Sequence, residues 1–314
     1  MNKYVNILWR HKIDDTWGEE GVAHFARNMV KYVQKMREVR TVEPLQYEER
    51  GYLHEDFRLF HLADDNHGEF PYHYHAFHKV IVVLAGRTEY AVEGERYALQ
   101  PGDFVLVGRG SIHRPMMTEG EFYERIVFYI SPEYLQTLSR EGEDLETCFR
   151  LAQERFCYVY RAAEEDGIPR LFTALEEAQK EQGFGRELRS RALFTELMVA
   201  INRAVIRGDG GEGQGDNKIV SILQYLNSHL TEPLTIDELA ARFYISKYHM
   251  MRRFREETGY TVHNYISEKR LLLAQQLLQR GATLTAAAEQ SGYQDYSTFS
   301  RAYKKQFGKS PSEK

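Results

Sequence analysis

Two stretches near the C-terminus, Ser246–Gly259 (SKYHMMRRFREETG) and Asp295–Gly308 (DYSTFSRAYKKQFG), are copies of one pattern. Each opens on a side chain able to cap a helix and closes on a glycine. Between them run apolar anchors four residues apart, Met250 and Phe254 in the first copy, Phe299 and Tyr303 in the second. These features describe an amphipathic helix with a defined start and stop. The match extends outward: Ala240 and Ala288 precede the copies, by six and seven residues, and Thr261 and Ser310 lie two residues past the glycines. Arg252 and Arg301 share one repeat position on the polar side. Two such helices, each with an exposed arginine, predict two DNA-reading helices in one polypeptide.

A shorter segment precedes each copy. Thr235 is placed to cap Ile236–Phe243, with Ile236, Leu239 and Ala240 facing inward, and Tyr244 and Ile245 turn the chain toward Ser246. In the second unit Leu284, Ala287 and Ala288 take that role, and Gly292 offers φ > 0 at the turn. Thr261–Gln279, with Val262, Ile266, Leu272, Leu273 and Leu277 apolar, predicts a spacer helix. At 1.5 Å per residue it is roughly 28 Å long. That suits reader helices set in major-groove segments about 34 Å apart.

Charge agrees with this division. The chain of 314 residues has a net charge of −5. Residues 217–314 hold 14 Lys and Arg against 9 Asp and Glu, so they carry +5 and residues 1–216 carry −10. A basic reader beside an acidic partner domain discourages indiscriminate binding to nucleic acid. No apolar run approaches a membrane span, and Met1–Asp14 lacks the apolar core of a signal peptide. Cys148 and Cys157 have neither zinc-finger nor redox spacing, so they read as small buried residues in a reducing cytoplasm.

The expected fold class is α+β in two domains: an N-terminal β-barrel with a helical extension, and a C-terminal all-α double helix-turn-helix. The divisions fall at 1–50 (extension), 51–160 (barrel), 165–207 (helical segment), 208–216 (flexible linker) and 217–314 (DNA-binding half). The linker is glycine-rich, Arg207-Gly-Asp-Gly-Gly-Glu-Gly-Gln-Gly-Asp216. Lys79–Leu84, Thr88–Val92, Phe104–Val107 and Phe122–Ile130 read as strands between Gly and Pro turns, which suggests a sandwich or barrel. Gly21–Val39, Ile168–Gln182 and Phe184–Ile206 read as helices. In the last, Leu188, Ala192, Leu193, Leu197, Ala200, Ile201 and Ala204 form one apolar stripe, for its own domain or for a second subunit.

The C-terminal residues resemble the AraC/XylS family of bacterial transcription regulators. The resemblance rests on Leu284-x-x-Ala287-Ala288-x-x-x-Gly292-Tyr293, then Tyr296-x-x-Phe299-Ser300-Arg301-x-Tyr303-Lys304-Lys305, then Gly308-x-Ser310-Pro311. Two departures stand out: Ala287 replaces a larger aliphatic residue, and the chain stops at Lys314, before the family's usual final segment. The resemblance implies base-facing Lys247, Tyr248, Met251 and Arg252 in the first reader helix, and Tyr296, Ser297, Ser300 and Arg301 in the second. Helical spacing agrees, since Tyr248, Met251 and Arg252 lie opposite the Met250–Phe254 row. Arg253, Arg255, Lys304 and Lys305 are expected to meet phosphate or solvent. Family likeness also implies an activator, a homodimer and RNA polymerase as a partner, in the cytoplasm.

Upstream, His73-Tyr-His75, Gly86, Pro101-Gly-Asp103 and His113 resemble a cupin barrel, the effector-binding domain of many AraC-type regulators. Cupins that hold a metal use two His, a Glu and a later His. Here Lys79 stands in the place of the Glu, and a protonated ammonium opposes a cation. The expectation is therefore no metal and no cofactor. His73, His75, Lys79 and His113 instead hold a small polar effector, a sugar by family analogy. The alternative is a metal at His73, His75 and His113, in a cupin enzyme or metal sensor fused to a DNA-binding domain. His67 and His78 are expected to be structural. The missing Glu and the attached reader count against an enzyme, and a purely architectural DNA binder would not need the barrel.

Overall fold

The run Val80-Ile81-Val82-Val83 carries no polar alternation because its strand is covered on both faces. The computed structural model describes residues 53, 55–64, 70–117, 122–162, 166–208, 210–211 and 213–313. The 1–50 extension with its Gly21–Val39 helix, and His67, lie outside the described residues. Strands β1 (Phe57–Asp64), β2 (His78–Gly86), β3 (Thr88–Val92), β4 (Glu95–Leu99), β5 (Asp103–Val107), β6 (His113–Met116), β7 (Tyr123–Ile130) and β8 (Val159–Arg161) form two antiparallel sheets. Their orders are β1-β7-β2-β5-β8 and β4-β3-β6. β1, β4, β6 and β8 were not singled out from sequence. β4 follows β3 through a two-residue turn, Glu93-Gly94, with φ of 48° and 82°; positive φ at both positions matches a hairpin's twist.

Helices α1 (Pro132–Leu138), α2 (Thr147–Arg155), α3 (Ile168–Lys180) and α4 (Arg186–Arg207) follow β7, with β8 between α2 and α3. Phe194 of α4 stacks on Phe57 of β1 at 4.6 Å and meets Phe128 of β7 edge-on at 5.5 Å. Phe172 of α3 reaches the same Phe128. These aromatic contacts close one face of the larger sheet. The C-terminal part of the expected stripe is buried, at Leu197, Ala200, Ile201 and Ala204, together with Phe194, Met198 and Val205, whereas Leu188 at its N-terminal end is 69% exposed and Ala192 is exposed.

Along its described residues the linker makes backbone hydrogen bonds to two strands. Gly211 N–H donates to the Val159 carbonyl at 2.8 Å, and Gln214 N–H to that of Arg96 at 2.8 Å. β8 and β4 are both edge strands with unpaired backbone groups, and the linker satisfies some of them. The chain then enters α5 (Asn217–Ser228), α6 (Ile236–Arg242), α7 (Lys247–Thr258), α8 (Val262–Gln279), α9 (Leu284–Gln290) and α10 (Tyr296–Phe307). Glu48–Lys314 makes one compact unit.

The expected caps are present. Ser246 accepts from His249 N–H, Asp295 from Thr298 N–H, and Thr235 forms a reciprocal capping box with Glu238. Gly259 and Gly308 end the reader helices with φ of 75° and 71°, and Gly292 takes φ of 90° at the second turn. Met250, Phe254, Phe299 and Tyr303 are buried anchors. No helix among the described residues is long and apolar enough to cross a membrane.

Candidate functional site

In α7 and α10 the apolar rows face the core, so the opposite faces are presented outward. Lys247, Tyr248, Met251, Arg252, Tyr296, Ser297 and Arg301 are exposed, and Ser300 is half-buried. Tyr248 is 77% exposed, a large aromatic at the surface with nothing covering it among the described residues. Lys247 pairs with Asp237 of α6 at 3.0 Å. Arg252 lies 4.0 Å from Glu256, and Arg301 donates to the Ser297 carbonyl of its own helix at 3.3 Å. Exposed i,i+4 contacts of this kind are worth about 0.2–0.5 kcal/mol, too little to hold an arginine against a stronger acceptor. Arg253 pairs with Asp216, Glu256 and Glu257 at 2.9, 3.1 and 3.2 Å, the acids that cap α5 and end α7.

Inside the barrel, His73, His75 and His113 are buried and cluster with ring centroids 4.3–5.1 Å apart. Two backbone bonds place His73 opposite His113: His73 N–H donates to the His113 carbonyl at 3.1 Å, and the reverse bond is 2.9 Å. His73 Nδ1 lies 2.9 Å from the Pro71 carbonyl, and His113 Nδ1 2.9 Å from that of Ser111. A carbonyl only accepts, so each Nδ1 carries a proton, and in a neutral ring Nε2 is then the lone-pair nitrogen. Burial pushes the His113 imidazolium pKa well below its ordinary value, with Lys79 and the other two histidines adding to the effect.

Lys79 is buried beside this cluster. Its ammonium donates to the Tyr90 hydroxyl at 3.5 Å and lies 5.9 Å from the Tyr129 ring centroid. Burial, reinforced by Arg125, lowers its pKa to about 7. A cupin set of two His, Glu and His does not fit here, because Lys79 stands where the carboxylate is needed. What the chain offers is three imidazoles, one nitrogen each within 4.8 Å of the others. His78 faces elsewhere: its ring stacks on Phe149 at 4.1 Å, Nδ1 accepts from Arg109 N–H, and Nε2 donates to Glu146.

A polar seam between the barrel and the DNA-binding half went unforeseen. Glu93, at the β3–β4 turn, is 1% exposed, and its carboxylate accepts from Ile112 N–H, Tyr265 O–H and Lys269 Nζ at 2.8, 2.6 and 2.6 Å. Tyr265 and Lys269 are one turn apart on α8. Arg96 of β4 also meets Glu257 of α7 at 2.8 Å. Sequence held one hint, a lysine and a tyrosine among the apolar positions of the spacer helix.

A β-domain with a buried polar cluster, joined to paired helix-turn-helix units with outward arginines, defines a DNA-binding regulator with a ligand-binding domain. Residues 57–198 match the AraC-like ligand binding domain, and residues 239–314 match a helix-turn-helix domain family. The chain belongs to the AraC/XylS family of transcription regulators. The HTH-type transcriptional activator RhaS of Escherichia fergusonii is 24% identical over 249 residues, which is 78% of this chain and 87% of that protein. RhaS of an Enterobacter species is 26% identical over 251 residues, with coverage of 78% and 87%. The crystal structure of ToxT from Vibrio cholerae aligns over 82% of this chain and 96% of its own at 14% identity, with a TM-score of 0.33.

Proposed function

We propose that this chain is a cytoplasmic transcription activator that binds DNA through α7 and α10 and responds to a small polar effector in the barrel. The observation that carries the reading is the pair of registered reader helices, with Arg252 and Arg301 outward, attached to a domain that buries a cluster of polar side chains. His73, His75, Lys79 and His113 are the effector residues. Three imidazoles and an amine supply both donors and acceptors, which suits hydroxyl-rich ligands. A sugar is favoured by family analogy, and the activator role by the names of the RhaS relatives. The protein acts as a homodimer and contacts RNA polymerase. The test is a thermal-shift screen of the full chain against sugars, small acids and divalent metals, because a bound ligand raises stability by mass action. A hit that is kept by His73→Ala and His113→Ala would move the effector site elsewhere.

One observation favours a second reading. The three histidine nitrogens within 4.8 Å of one another match a three-imidazole metal site, with the Nδ1 protons of His73 and His113 on backbone carbonyls. The chain would then be a metal sensor, or a metal-dependent cupin enzyme fused to a DNA reader. Stoichiometric transition metal surviving dialysis, and lost in His73→Ala, would select this reading over the first.

A further inference from the structure

Residues 72–75 are extended, so side chains alternate between two faces of the segment. His73 and His75 point into the buried cluster. Tyr72 and Tyr74 point the other way, and each meets a different reader helix. The Tyr72 hydroxyl donates to the Glu257 carbonyl, in the last turn of α7, at 2.7 Å. Its ring packs so closely on Gly259, the cap of α7, that a Cβ there would come within 2.6 Å of Tyr72 Cδ2. Gln306, in the last turn of α10, donates from Nε2 to the Tyr74 hydroxyl at 2.5 Å. Four consecutive residues therefore touch the proposed effector cluster on one side and the C-terminal ends of both reader helices on the other.

The segment is also tied to α8, the helix between the readers. His75 carbonyl accepts from Gly110 N–H at 2.8 Å, and Gly110 carbonyl accepts from Lys269 Nζ at 3.0 Å. A ligand that draws the backbone at His73 or His75 toward it moves Tyr72 and Tyr74 as well, because the four residues are consecutive and His73 is bonded on both sides to His113.

We infer that Tyr72 and Tyr74 are positioning residues for DNA recognition, setting the two reader helices relative to each other according to what the histidine cluster holds. The inference rests on the reading of α7 and α10 as DNA readers. It predicts that the tyrosine contacts act on the spacing between half-sites, because each tyrosine holds one reader and neither faces the bases. Ligand binding in the cluster changes that spacing preference by moving one short strand. The linker need not transmit anything.

The experiment first selects a bipartite duplex from a random pool with the full wild-type chain. Affinity is then measured for that duplex and for versions with one base pair inserted or removed between the half-sites. The readout is the ratio of these affinities within each protein, so overall changes in stability or affinity cancel. In the wild type the penalty is expected at roughly tenfold, and in Tyr72→Phe/Tyr74→Phe it falls below about threefold. Gln306→Ala, which removes the Tyr74 contact from the reader side without altering the barrel, should lower the penalty in the same direction. His73→Ala should alter the spacing ratio in the wild-type background and leave it unchanged in the double tyrosine variant. An unaltered ratio in the tyrosine variants, or a His73→Ala effect that is additive with theirs, overturns the inference while leaving the DNA-reading assignment intact. If the wild-type chain selects no duplex, the DNA-reading assignment falls and this inference falls with it.

Discussion

Glu93 and Lys269 form a buried ion pair, 2.6 Å from Oε1 to Nζ, that joins the barrel to the helix between the two readers. Glu93 sits at φ 48°, a conformation that L residues adopt at some cost, and three donors on its carboxylate offset that cost. Removing one partner of a buried pair leaves an uncompensated charge, worth about 3–5 kcal/mol. Lys269→Met should therefore lower the stability of the full chain by that order, measured by urea unfolding. Glu93→Gln combined with Lys269→Met leaves no orphan charge and should recover part of the loss. A Lys269→Met protein as stable as the wild type would show that the pair contributes nothing to holding the halves together.

The reader half was legible in the sequence because its signals are local. Ser246, Met250, Phe254 and Gly259 lie within one helix, and cap, row and stop can be read without knowing what they pack against. β2 and β7 were visible for the same reason, as apolar runs between turns. Lys269 and Glu93 are 176 positions apart, and each taken alone reads as something ordinary: a charge on a helix, a residue in a hairpin turn. The linker's contacts were hidden for a related reason: its glycines say nothing of a partner, and the edges of β4 and β8 that accept from its backbone are assembled only by the fold. Alternation along the chain puts Lys79 on the same face as His73 and His75. The loss of its charge preference was hidden, because burial depends on the whole barrel.

Lys79 gives stability a pH dependence whose sign can be worked out. Burial lowers its folded pKa from 10.5 to about 7. The groups around it are His113, Tyr90, Tyr129 and Arg125, and no ion pair to Lys79 occurs among the described residues. Between these two values the unfolded chain binds more protons than the folded one, so stability rises with pH across that window. Below about pH 7 both states are protonated and the penalty is constant. Lys79→Met removes the penalty and should stabilise the protein at pH 7 by at most about 4 kcal/mol, shrinking to about 1 kcal/mol near pH 9.5. Urea midpoints of both proteins at the two pH values provide the check. A gain that grows with pH would mean that Lys79 is charged and paired in the folded protein.

Arg252 and Arg301 occupy equivalent positions on helices that share a side-chain cap six residues upstream, the same anchor spacing and a glycine stop. Equivalent geometry implies equivalent work on DNA. Each guanidinium is exposed and, among the described residues, makes these contacts within its own helix, so it can turn toward a base edge. A bidentate contact to guanine O6 and N7 is worth about 1–3 kcal/mol of discrimination. Arg252→Ala and Arg301→Ala should each relax preference at one position of the selected duplex by roughly 5- to 150-fold, and leave the other positions as they were. On the proposed reading, with α7 and α10 in successive major-groove segments, the two relaxed positions should lie about one helical turn apart. Substituting every position of the duplex in turn, for both variants, tests this. A uniform loss of affinity at all positions, with a shallower salt dependence, would place both arginines on phosphate and leave base reading to Tyr248, Met251, Tyr296 and Ser297.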